Sequence, residues 1–377
     1  MPLNVLHLIG GGEIGGAEQH ILNLLTNFCQ GQITPYLGCL VKDSPFASLA
    51  RSQGISSEIF PMRSPFDVRP VFSLIRFCRE KKIALIHCHG VRANMLGRLT
   101  ARLLSIPNLS TIHSWPEFDY SSAWKGRLAC FLDNITLPWA SGIITVSESL
   151  QKKYMLRKTT KPSSPPIKTI FNGIPWYDFS EHQTMHTSFR REWGIKPKQK
   201  VIGTIGRLHP VKGQIYLAQA IKILTRDYNA DVHFLIIGDG PLRSELQSYL
   251  TANRISHTIT GYYPSAWKAL PAMDIFVLPS ISEGMGLVLL EAAQAKVPIV
   301  ASDTGGIPEL FSDRQEALLC RPADPEALAA ACNEIISNPA LAKMLIENAW
   351  QKAKLFTVER MVKATTDFYL EIINTSA

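Results

Sequence analysis

The chain opens twice in the same way, and this repetition constrains the fold more than any other feature. Near the N-terminus an apolar run, VLHLI, leads into glycines and then into the helical pattern EQHILNLLTNF. After residue 200 the run KVIGTIG leads into the loop LHPVKGQ and the helical pattern IYLAQAIKIL. A strand, a glycine-bearing turn and a helix form the start of a βαβ unit. Two such starts in 377 residues predict two α/β domains.

Further apolar runs follow each opening at the spacing of alternating strands and helices. Strands are predicted near TPYLGCLV, ALIHCHG, NLSTIHS and GIITVS in the first half, and near HFLIIGD, MDIFVLP and VPIVASD in the second. Such runs are typical of parallel sheets covered by helices on both faces. We therefore expect two doubly wound, Rossmann-like domains facing each other across a deep cleft, with ligands bound beyond the carboxyl ends of the strands.

The domain boundary is predicted between Lys158 and Lys200, where KPSSPPIK and FNGIP favour a linker and a turn. We place an N-terminal domain at 1–172 and a C-terminal domain at 173–355. The tail, LFTVERMVKATTDFYLEII, has helical periodicity. We expect this helix, about 356–377, to cross back onto the N-terminal domain.

Charge is distributed unevenly along the chain. The net charge is +8, but residues 1–172 carry 19 Lys+Arg against 10 Asp+Glu, and the remainder carries 20 against 21. A basic half indicates an anionic surface or substrate, or it serves solubility. The segment SAWKGRLACFLDNITLPWASG fits either an interfacial helix at a membrane surface or a buried amphipathic helix. We recognise no nucleic-acid motif and expect no nucleic-acid partner.

Cysteines and apolar runs bear on the location of the protein. Seven cysteines are scattered without a C-x-x-C spacing, which predicts reduced thiols. No apolar run reaches the roughly 18 residues of a membrane span, and the N-terminal apolar stretch follows no basic region. We expect a cytoplasmic protein, with peripheral attachment to the inner face of the plasma membrane as an open alternative.

The first glycine cluster admits three interpretations. Gly10, Gly12 and Gly15 formally satisfy G-x-G-x-x-G, but the acidic residue that a dinucleotide site needs is poorly placed, since Asp43 comes late. Alternatively, Gly12, Gly15 and Gly16 let backbone amides at a helix N-terminus approach an anion. The third interpretation is a tight turn without a ligand.

The second half carries charged residues at two predicted strand ends. In GRLHPVKG, Arg207 and Lys212 could reach one diphosphate, although exposed basic loop residues are common. After the strand MDIFVLP, Glu283 lies in a loop and a helix begins near Gly286. Glu283 could accept hydrogen bonds from sugar hydroxyls and Glu291 from a ribose, while the helix N-terminus between them favours phosphate. TGGIPE is predicted to repeat this arrangement, with Gly305 and Gly306 after a strand and a helix start that Pro308 suits.

Histidines also end predicted strands of the first half. His87 and His89 form an H-x-H, a spacing that metals use, but the sequence shows no third ligand beside them. His113 ends another strand and faces the same predicted cleft, unless it is a core or capping histidine.

Eight stretches together resemble the retaining glycosyltransferases of glycosyltransferase family 4, which have the GT-B fold. They are GGGEIGGAEQ (10–19), HCHG (87–90), TIHS (111–114), VSES (146–149), FNGI (171–174), GRLHPVKG (206–213), IIGDGP (236–241) and PSISEGMGLVLLEAAQAKVPIVASDTGGIPEL (279–310). The spacing of Glu283 and Glu291 matches the E-x7-E motif of that family. The pair Ala295-Lys296 departs from it, because the family often has a small residue followed by glycine there.

The resemblance implies a role for each matching residue. Arg207 and Lys212 would hold the donor diphosphate, Glu283 the sugar hydroxyls and Glu291 the ribose. Gly12, Gly15 and Gly16 would close over the phosphate, and His113 would lie near the anomeric carbon. The other residues expected to bind the donor are Gly261, Tyr262, Gly284, Met285, Gly286 and Leu287.

The implied reaction is sugar transfer with retention from a nucleotide-sugar donor to a glycan or lipid-linked acceptor. A UDP-sugar is the expected co-substrate, and we expect neither a cofactor nor a metal, since no D-x-D occurs. The alternatives are a nucleotide-sugar epimerase of the same fold, a non-catalytic sugar-nucleotide-binding protein, and a solute-binding protein, which should carry an export signal.

Overall fold

The chain forms two compact units. A computed structural model describes residues 2–28, 31–64, 67–115, 123–156 and 165–376. The first unit comprises Met1–Gly173 and Val358–Ala377, and the second comprises Ile174–Thr357.

The first unit is built on a seven-stranded parallel sheet. Its strands are β1 (Leu3–Ile9), β2 (Ile33–Cys39), β3 (Ser57–Ile59), β4 (Leu85–His89), β5 (Asn108–Ile112), β6 (Gly142–Thr145) and β7 (Ile167–Thr169), in the spatial order β3-β2-β1-β4-β5-β6-β7. The strands predicted in this half are confirmed as β1, β2, β4, β5 and β6. In the register of β1 and β4, His7 lies beside His87 and Ile9 beside His89. The sheet therefore brings histidines from neighbouring strands together.

Helices connect the strands of this unit, as a parallel sheet requires. They are α1 (Gly16–Asn27), α2 (Pro45–Ser52), α3 (Pro70–Glu80), α4 (Val91–Leu104), α5 (Ala123–Thr136) and α6 (Glu148–Leu156). The first half of KPSSPPIK, residues 161–164, lies outside the described residues, and β7 begins at Ile167.

The second unit repeats the arrangement with six parallel strands. They are β8 (Lys200–Ile205), β9 (Val232–Ile237), β10 (His257–Ile259), β11 (Ile275–Leu278), β12 (Ile299–Ser302) and β13 (Leu318–Cys320), in the order β10-β9-β8-β11-β12-β13. The helices are α7 (His182–Glu192), α8 (Gln214–Asp227), α9 (Arg243–Ala252), α10 (Leu287–Gln294), α11 (Ile307–Leu310), α12 (Pro325–Ser337) and α13 (Pro339–Ala353). Both sheets thus have the doubly wound strand order.

The last helix, α14 (Val358–Ser376), belongs to the first unit. Val362, Phe368, Tyr369 and Ile372 are buried in the core that also contains Val5 and other residues of β1 and α1. The periodicity of the tail therefore corresponds to the face that α14 buries.

The described residues contain neither a disulfide nor a helix that could span a membrane. The described cysteines, which exclude Cys29, are all free. In the part of the chain that the structure describes, no helix combines the length and hydrophobicity of a membrane span.

Candidate active site

Two adjacent strands of the second unit, β8 and β11, end in loops that pack on each other. The amide of Ile281 donates to the carbonyl of Val211 at 2.8 Å. Gly213 has a φ of +66°, and a Cβ there would lie 2.0 Å from the Pro279 carbonyl oxygen. Only glycine tolerates both conditions. The motif GRLHPVKG is thereby held against the loop that carries Glu283.

An ion pair joins these two loops. The Lys212 Nζ lies 2.7 Å from Glu283 Oε2, and Ser280 Oγ donates to the same carboxylate oxygen at 3.0 Å. Arg207 is exposed, and its carbonyl accepts from Gln214 Nε2 at 2.9 Å. The structure therefore brings a cation and a carboxylate of the predicted site into direct contact, with a second cation on the same short loop.

Helix α10 carries the second glutamate. Gly286 is its N-cap and Leu287 its first residue, which confirms the predicted start. Gly284 and Met285 are buried just before it. Glu291 is partly buried, and desolvation raises the pKa of its carboxyl to about 7. A carboxyl with this pKa changes its charge near neutral pH.

The loop after β12 supports Glu283 from another side. Gly305 has a φ of +58°, and a Cβ there would lie 1.8 Å from the Glu283 carbonyl oxygen. The same oxygen accepts from the Gly306 amide at 3.3 Å. The strand, the glycines and the helix start predicted for TGGIPE are confirmed, since β12 precedes the glycines and α11 begins at Ile307 after the N-cap Gly306. The glycine pair packs against the Glu283 loop, and phosphate binding there stays a prediction.

Gly261 and Tyr262 follow β10, the edge strand on the other side of β9. Gly261 forms an antiparallel bridge with Gly238, which follows β9. Tyr262 is exposed, with its ring available to a ligand at this edge of the sheet.

The predicted glycine loop of the first unit lies at the start of α1. Gly15 is the N-cap and Gly16 the first helical residue, while Gly12 lies in the preceding turn. The Gly15 amide donates to Glu18 Oε2 at 3.1 Å. A carboxylate of the same chain thus already occupies one of the amides that was predicted to meet an anion.

His113 is the partly exposed member of a histidine cluster in the first unit. Its Nε2 lies 3.0 Å from His89 Nδ1, and its ring packs edge-on against His20 at a centroid distance of 4.8 Å. His89 Nε2 lies 3.2 Å from His7 Nδ1. His87 contacts Tyr369 and Thr111 instead, at 2.6 and 2.7 Å.

Burial keeps these imidazoles neutral. Desolvation lowers the pKa of His7 to about 3 and that of His20 to about 4. It also lowers the pKa values of His87, His89 and His113 well below the ordinary value. At pH 7 each ring therefore has one N–H donor and one bare acceptor nitrogen.

The inference that H-x-H lacks a third ligand is wrong, because His7 supplies one. Nitrogens of His7, His87 and His89 lie within 4.8 Å of one another, as do those of His20, His89 and His113. However, His7 shares a hydrogen bond with His89, and so does His113. A metal ion would have to break these hydrogen bonds. Both groups consist of histidines alone, so no carboxylate in them would balance the charge of the buried ion.

Lys296, which stands where the family often has glycine, adopts a backbone conformation that favours glycine. Lys296 has a φ of +54° at the end of α10, the left-handed conformation that glycine adopts most easily. Its ammonium lies 4.8 Å from the centre of the Trp350 ring. The lysine is accommodated as predicted, with a cation–π contact that offsets part of its backbone strain.

Sequence reasoning missed several residues that surround the predicted ones. His7 and His20 join the histidine cluster, and Tyr369 joins it from α14. Burial raises the pKa of the Tyr177 phenol, and the negative charge of nearby Glu291 adds to this effect. A histidine inside the apolar run VLHLI was an available signal, since a strand core rarely contains one without a partner. Tyr177 and Tyr369 gave no comparable signal.

Comparison with known proteins agrees with this geometry. The family model for glycosyl transferases group 1 matches residues 185–352, and that for Glycosyltransferase Family 4 matches residues 14–175. TuaC of Bacillus subtilis, named as a glycosyltransferase of teichuronic acid biosynthesis, is 30% identical over 78% of this chain and 72% of its own. The Escherichia coli UDP-Gal:alpha-D-GlcNAc-diphosphoundecaprenol alpha-1,3-galactosyltransferase is 24% identical over 94% of this chain and 90% of its own.

Solved structures show the same fold. Anabaena HepE, crystallised with UDP and glucose, superposes with a TM-score of 0.85 at 22% identity, covering 98% of this chain and 100% of its own. The sucrose-phosphate synthase of Thermosynechococcus elongatus gives 0.78 at 17% identity, covering 99% and 100%. Two parallel α/β sheets and these neighbours define the GT-B fold. The chain belongs to glycosyltransferase family 4.

Proposed function

We propose that this glycosyltransferase moves a sugar from a UDP-sugar to a hydroxyl of a lipid-linked or cell-envelope glycan, with retention at the anomeric carbon. The observation that carries the proposal is the Lys212–Glu283 ion pair, held between the loops after β8 and β11 with Arg207 nearby. The names of two similar proteins support the donor and the acceptor, since HepE was crystallised with UDP and the Escherichia coli relative acts on a diphosphoundecaprenol-linked sugar.

Each charged group has a separate task in this proposal. Arg207 and Lys212 bind the diphosphate through charge-assisted hydrogen bonds. Phosphate oxygens then compete with Glu283 for the Lys212 ammonium, so that the Glu283 carboxylate becomes available to sugar hydroxyls. Glu291 accepts from the ribose hydroxyls, and we assign the base to the surface at Gly261 and Tyr262.

The chemical step exchanges one bond for another on the same face of the sugar. The bond from the anomeric carbon to the phosphate oxygen breaks as the acceptor oxygen bonds to that carbon. The acceptor proton passes to the departing phosphate oxygen, giving the glycoside and UDP. Because Arg207 and Lys212 stabilise the developing negative charge, we propose that no metal ion is needed. His113 is assigned to the anomeric carbon and Gly12, Gly15 and Gly16 to the donor phosphate.

The first test is a thermal-shift panel of UDP-, GDP- and ADP-sugars on the wild type, on Glu291→Ala and on Glu326→Ala. Glu326 is an exposed acid in the first turn of α12 and serves as the matched control. We expect a shift with the UDP series alone, lost in Glu291→Ala and retained in Glu326→Ala. No shift with any donor would contradict the proposed function.

A product assay separates transfer from epimerisation. The enzyme is incubated with UDP-sugars, with and without a lipid-linked acceptor, and the anomeric configuration of each product is read by NMR. We expect a glycoside with the donor configuration, formed only with acceptor. A new UDP-sugar formed without acceptor would identify the epimerase alternative.

We propose that the acceptor is reached at a membrane surface, because α5 buries a polar face and exposes an apolar one. Its buried face carries Asp133, which accepts from Arg98 Nη1 at 3.0 Å, Asn94 Nδ2 at 2.9 Å and Tyr154 Oη at 2.6 Å. Its apolar stripe points outward, with exposed fractions of 63% for Trp124, 60% for Phe131 and 50% for Ile135.

An anionic lipid surface is the occupant that fits this stripe. Trp124, Leu128, Phe131 and Ile135 follow one another at helical spacing, and the exposed Arg127 lies on the same helix. Residues 1–172 also carry the entire positive surplus of the chain. Apolar side chains entering the headgroup region beside cations are typical of peripheral attachment. We therefore propose that the enzyme attaches to the inner face of the plasma membrane.

Vesicle sedimentation tests this placement. We expect the protein to sediment with phosphatidylglycerol vesicles at low salt, to bind phosphatidylcholine vesicles less, and to dissociate as salt screens the charges. The double variant Trp124→Ser, Phe131→Ser should lose binding, whereas Phe72→Ser, an exposed aromatic residue on α3, should retain it. If the wild type does not sediment with anionic vesicles at low salt, the proposed attachment to a membrane surface is excluded.

A further inference from the structure

A continuous chain of hydrogen bonds runs through the first unit from Thr111 to His113. Its steps are Thr111 Oγ1 to His87 Nε2 (2.7 Å), His87 Nδ1 to Tyr369 Oη (2.6 Å), Tyr369 Oη to His7 Nε2 (3.2 Å), His7 Nδ1 to His89 Nε2 (3.2 Å), and His89 Nδ1 to His113 Nε2 (3.0 Å). Tyr369 lies in the middle of this chain and comes from α14, far from the others in sequence.

Hydrogen counting limits the protonation states of this chain severely. Each neutral imidazole has one N–H, and each hydroxyl has one O–H. Every contact requires one hydrogen, no more and no fewer. If Thr111 donates to His87, then His87 donates to Tyr369. The fully buried Tyr369 hydroxyl contacts His87 and His7, so its own hydrogen finds a partner in this chain only by donating to His7. Each following group then donates onward, and the hydrogen of His113 is left on Nδ1. If Thr111 accepts, every donor is reversed, and the hydrogen of His113 points back on Nε2 toward His89.

Two arrangements therefore satisfy all the contacts and also give the Tyr369 hydrogen a partner. A third, in which Tyr369 accepts from both His87 and His7, leaves that buried hydrogen unpaired, at a cost in free energy. In the first, His7, His87, His89 and His113 all carry their hydrogen on Nδ1. In the second, all carry it on Nε2. His113 consequently presents either an N–H donor or a bare acceptor at Nδ1, the nitrogen that the chain does not use.

We propose that Tyr369 is a positioning residue that couples the tautomer of His113 to those of His7, His87 and His89, and so fixes the hydrogen-bonding character that His113 offers to substrate. The role of substrate contact for His113 rests on the proposed function, but the coupling does not. The buried surroundings support the coupling: His7, His87 and the Tyr369 ring are inaccessible to water, which could otherwise supply alternative partners. Removal of the Tyr369 hydroxyl would divide the chain into two independent parts.

The tautomers can be read directly by NMR. The full-length protein is prepared with 15N-histidine, and the ring nitrogens of the four histidines are assigned through their contacts to neighbouring methyl groups. Protonated and bare nitrogens differ clearly in 15N chemical shift. We expect a single tautomer, the same for all four histidines, in the wild type. A mixture, with His87 in one tautomer and His113 in the other, would overturn the proposal.

Two tyrosine variants separate positioning from packing. Tyr369→Phe removes the central hydroxyl, and Tyr154→Phe removes another fully buried hydroxyl of the first unit that donates to Asp133 at 2.6 Å, outside the chain. In Tyr369→Phe we expect His87 and His113 to lose their common tautomer and kcat to fall at least about tenfold at unchanged donor KM. Tyr154→Phe should keep both wild-type values.

The outcomes distinguish this proposal from the proposed function. If Tyr369→Phe retains the wild-type tautomers, or changes them without lowering kcat, the positioning role is overturned. If no donor supports transfer by the wild type, the proposed function fails, while the four tautomers still report whether the coupling exists.

Discussion

The two units share the same order of central strands, but the side chains at the strand ends are neutral histidines in the first unit and charged groups in the second. Around the carboxyl ends of its central strands the first unit gathers neutral imidazoles that bond to one another, with His7 and His89 as examples. The second unit gathers charges there, with Lys212 paired to Glu283. Parallel strands deliver loop residues to one edge of a sheet whatever the residues are. The topology therefore sets where side chains meet, and the side chains decide what that edge can bind.

The loops at those edges also differ in how tightly they pack. In the first unit, a Cβ at Gly10 or Gly16 would meet nothing within 4 Å. In the second, a Cβ at Gly213 or Gly305 would lie within 2.0 Å of a carbonyl oxygen. The charged site is therefore held by glycines that permit close backbone contact. In the first glycine loop the close neighbours are side chains, with a Cβ at Gly11 lying 2.8 Å from Cys39 Sγ and Ser44 Oγ, and space is free only at Gly10 and Gly16 among its described glycines.

The largest expected effect is the response of the first unit to acid. Its five clustered histidines have lowered pKa values, so that the unfolded chain binds protons below about pH 6.5 that the folded unit does not bind. Stability is thus lost as pH falls. Going from pH 8 to pH 5.5 costs on the order of 1 kcal/mol for each histidine, and several kcal/mol together.

Hydrogen exchange with mass spectrometry measures this loss for each unit separately. We expect amides of β1 and β4 to lose protection at pH 5.5 while those of β8 and β9 keep it, after correction for the intrinsic exchange rate. The second unit has fewer such groups, among them His233 with a pKa lowered to about 4. Equal loss of protection in both units would show that the histidine cluster is not the acid-sensitive element.

The next largest effect concerns the position of one carboxylate. Glu283→Asp keeps the charge but withdraws the carboxylate by one methylene from Lys212 and from the sugar that we propose it binds. A displacement of this size lowers kcat roughly 100-fold. Steady-state kinetics with a UDP-sugar checks this, with Glu326→Asp as the control that should retain full activity. Intact turnover in Glu283→Asp would remove Glu283 from the site.

Long strands and charged motifs could be predicted from the sequence, and short edge strands could not. Runs such as HFLIIGD are apolar because a central strand is covered on both faces. The strands at the sheet edges, β3, β7, β10 and β13, have three residues each, too few for any periodicity to appear. Edge strands gain little from burial, and their pairing is decided by the neighbouring strand.

The candidate site shows the same limit. Arg207, Lys212, Glu283 and Glu291 were identified because charged residues at strand ends stand out in an apolar sequence. The packing role of Gly305 was not identified, since it depends on a carbonyl oxygen of Glu283 more than twenty residues earlier in the chain. Nor could the sequence show that α5 buries Asp133 and exposes Trp124, because its partners Arg98 and Tyr154 lie on other helices.

A smaller effect tests the difference in glycine packing. Gly305→Ala places a Cβ against the Glu283 carbonyl in a left-handed conformation, so that the loop must move. We expect a loss of about 2–4 kcal/mol in the free energy of unfolding. Gly16→Ala has free space and begins a helix, and it should leave stability unchanged. Urea denaturation compares the two. If both variants lose stability equally, the packing contrast between the units is wrong.

The smallest effect is a pH response of opposite sign to the one expected for the first unit. Burial raises the pKa of Glu291 from 4.5 to about 7, so that the folded second unit holds an additional proton between these values. This contribution to stability is lost as pH rises, opposite to that of the buried histidines. Only the ionised carboxylate accepts from both ribose hydroxyls, so donor binding competes with the proton.

Donor affinity should therefore rise with pH, roughly tenfold from pH 6 to pH 8, because the ionised fraction of Glu291 rises by about this factor around a pKa near 7. Isothermal titration with an intact UDP-sugar, whose diphosphate does not ionise in this range, measures the affinity. Repeating the titration at pH 6 in two buffers of different ionisation enthalpy measures the released proton. Glu291→Gln should bind more weakly than the wild type at pH 8 and show neither the slope nor the proton release. A slope that persists in Glu291→Gln would assign the pH dependence to another group and leave Glu291 without a role in ribose binding.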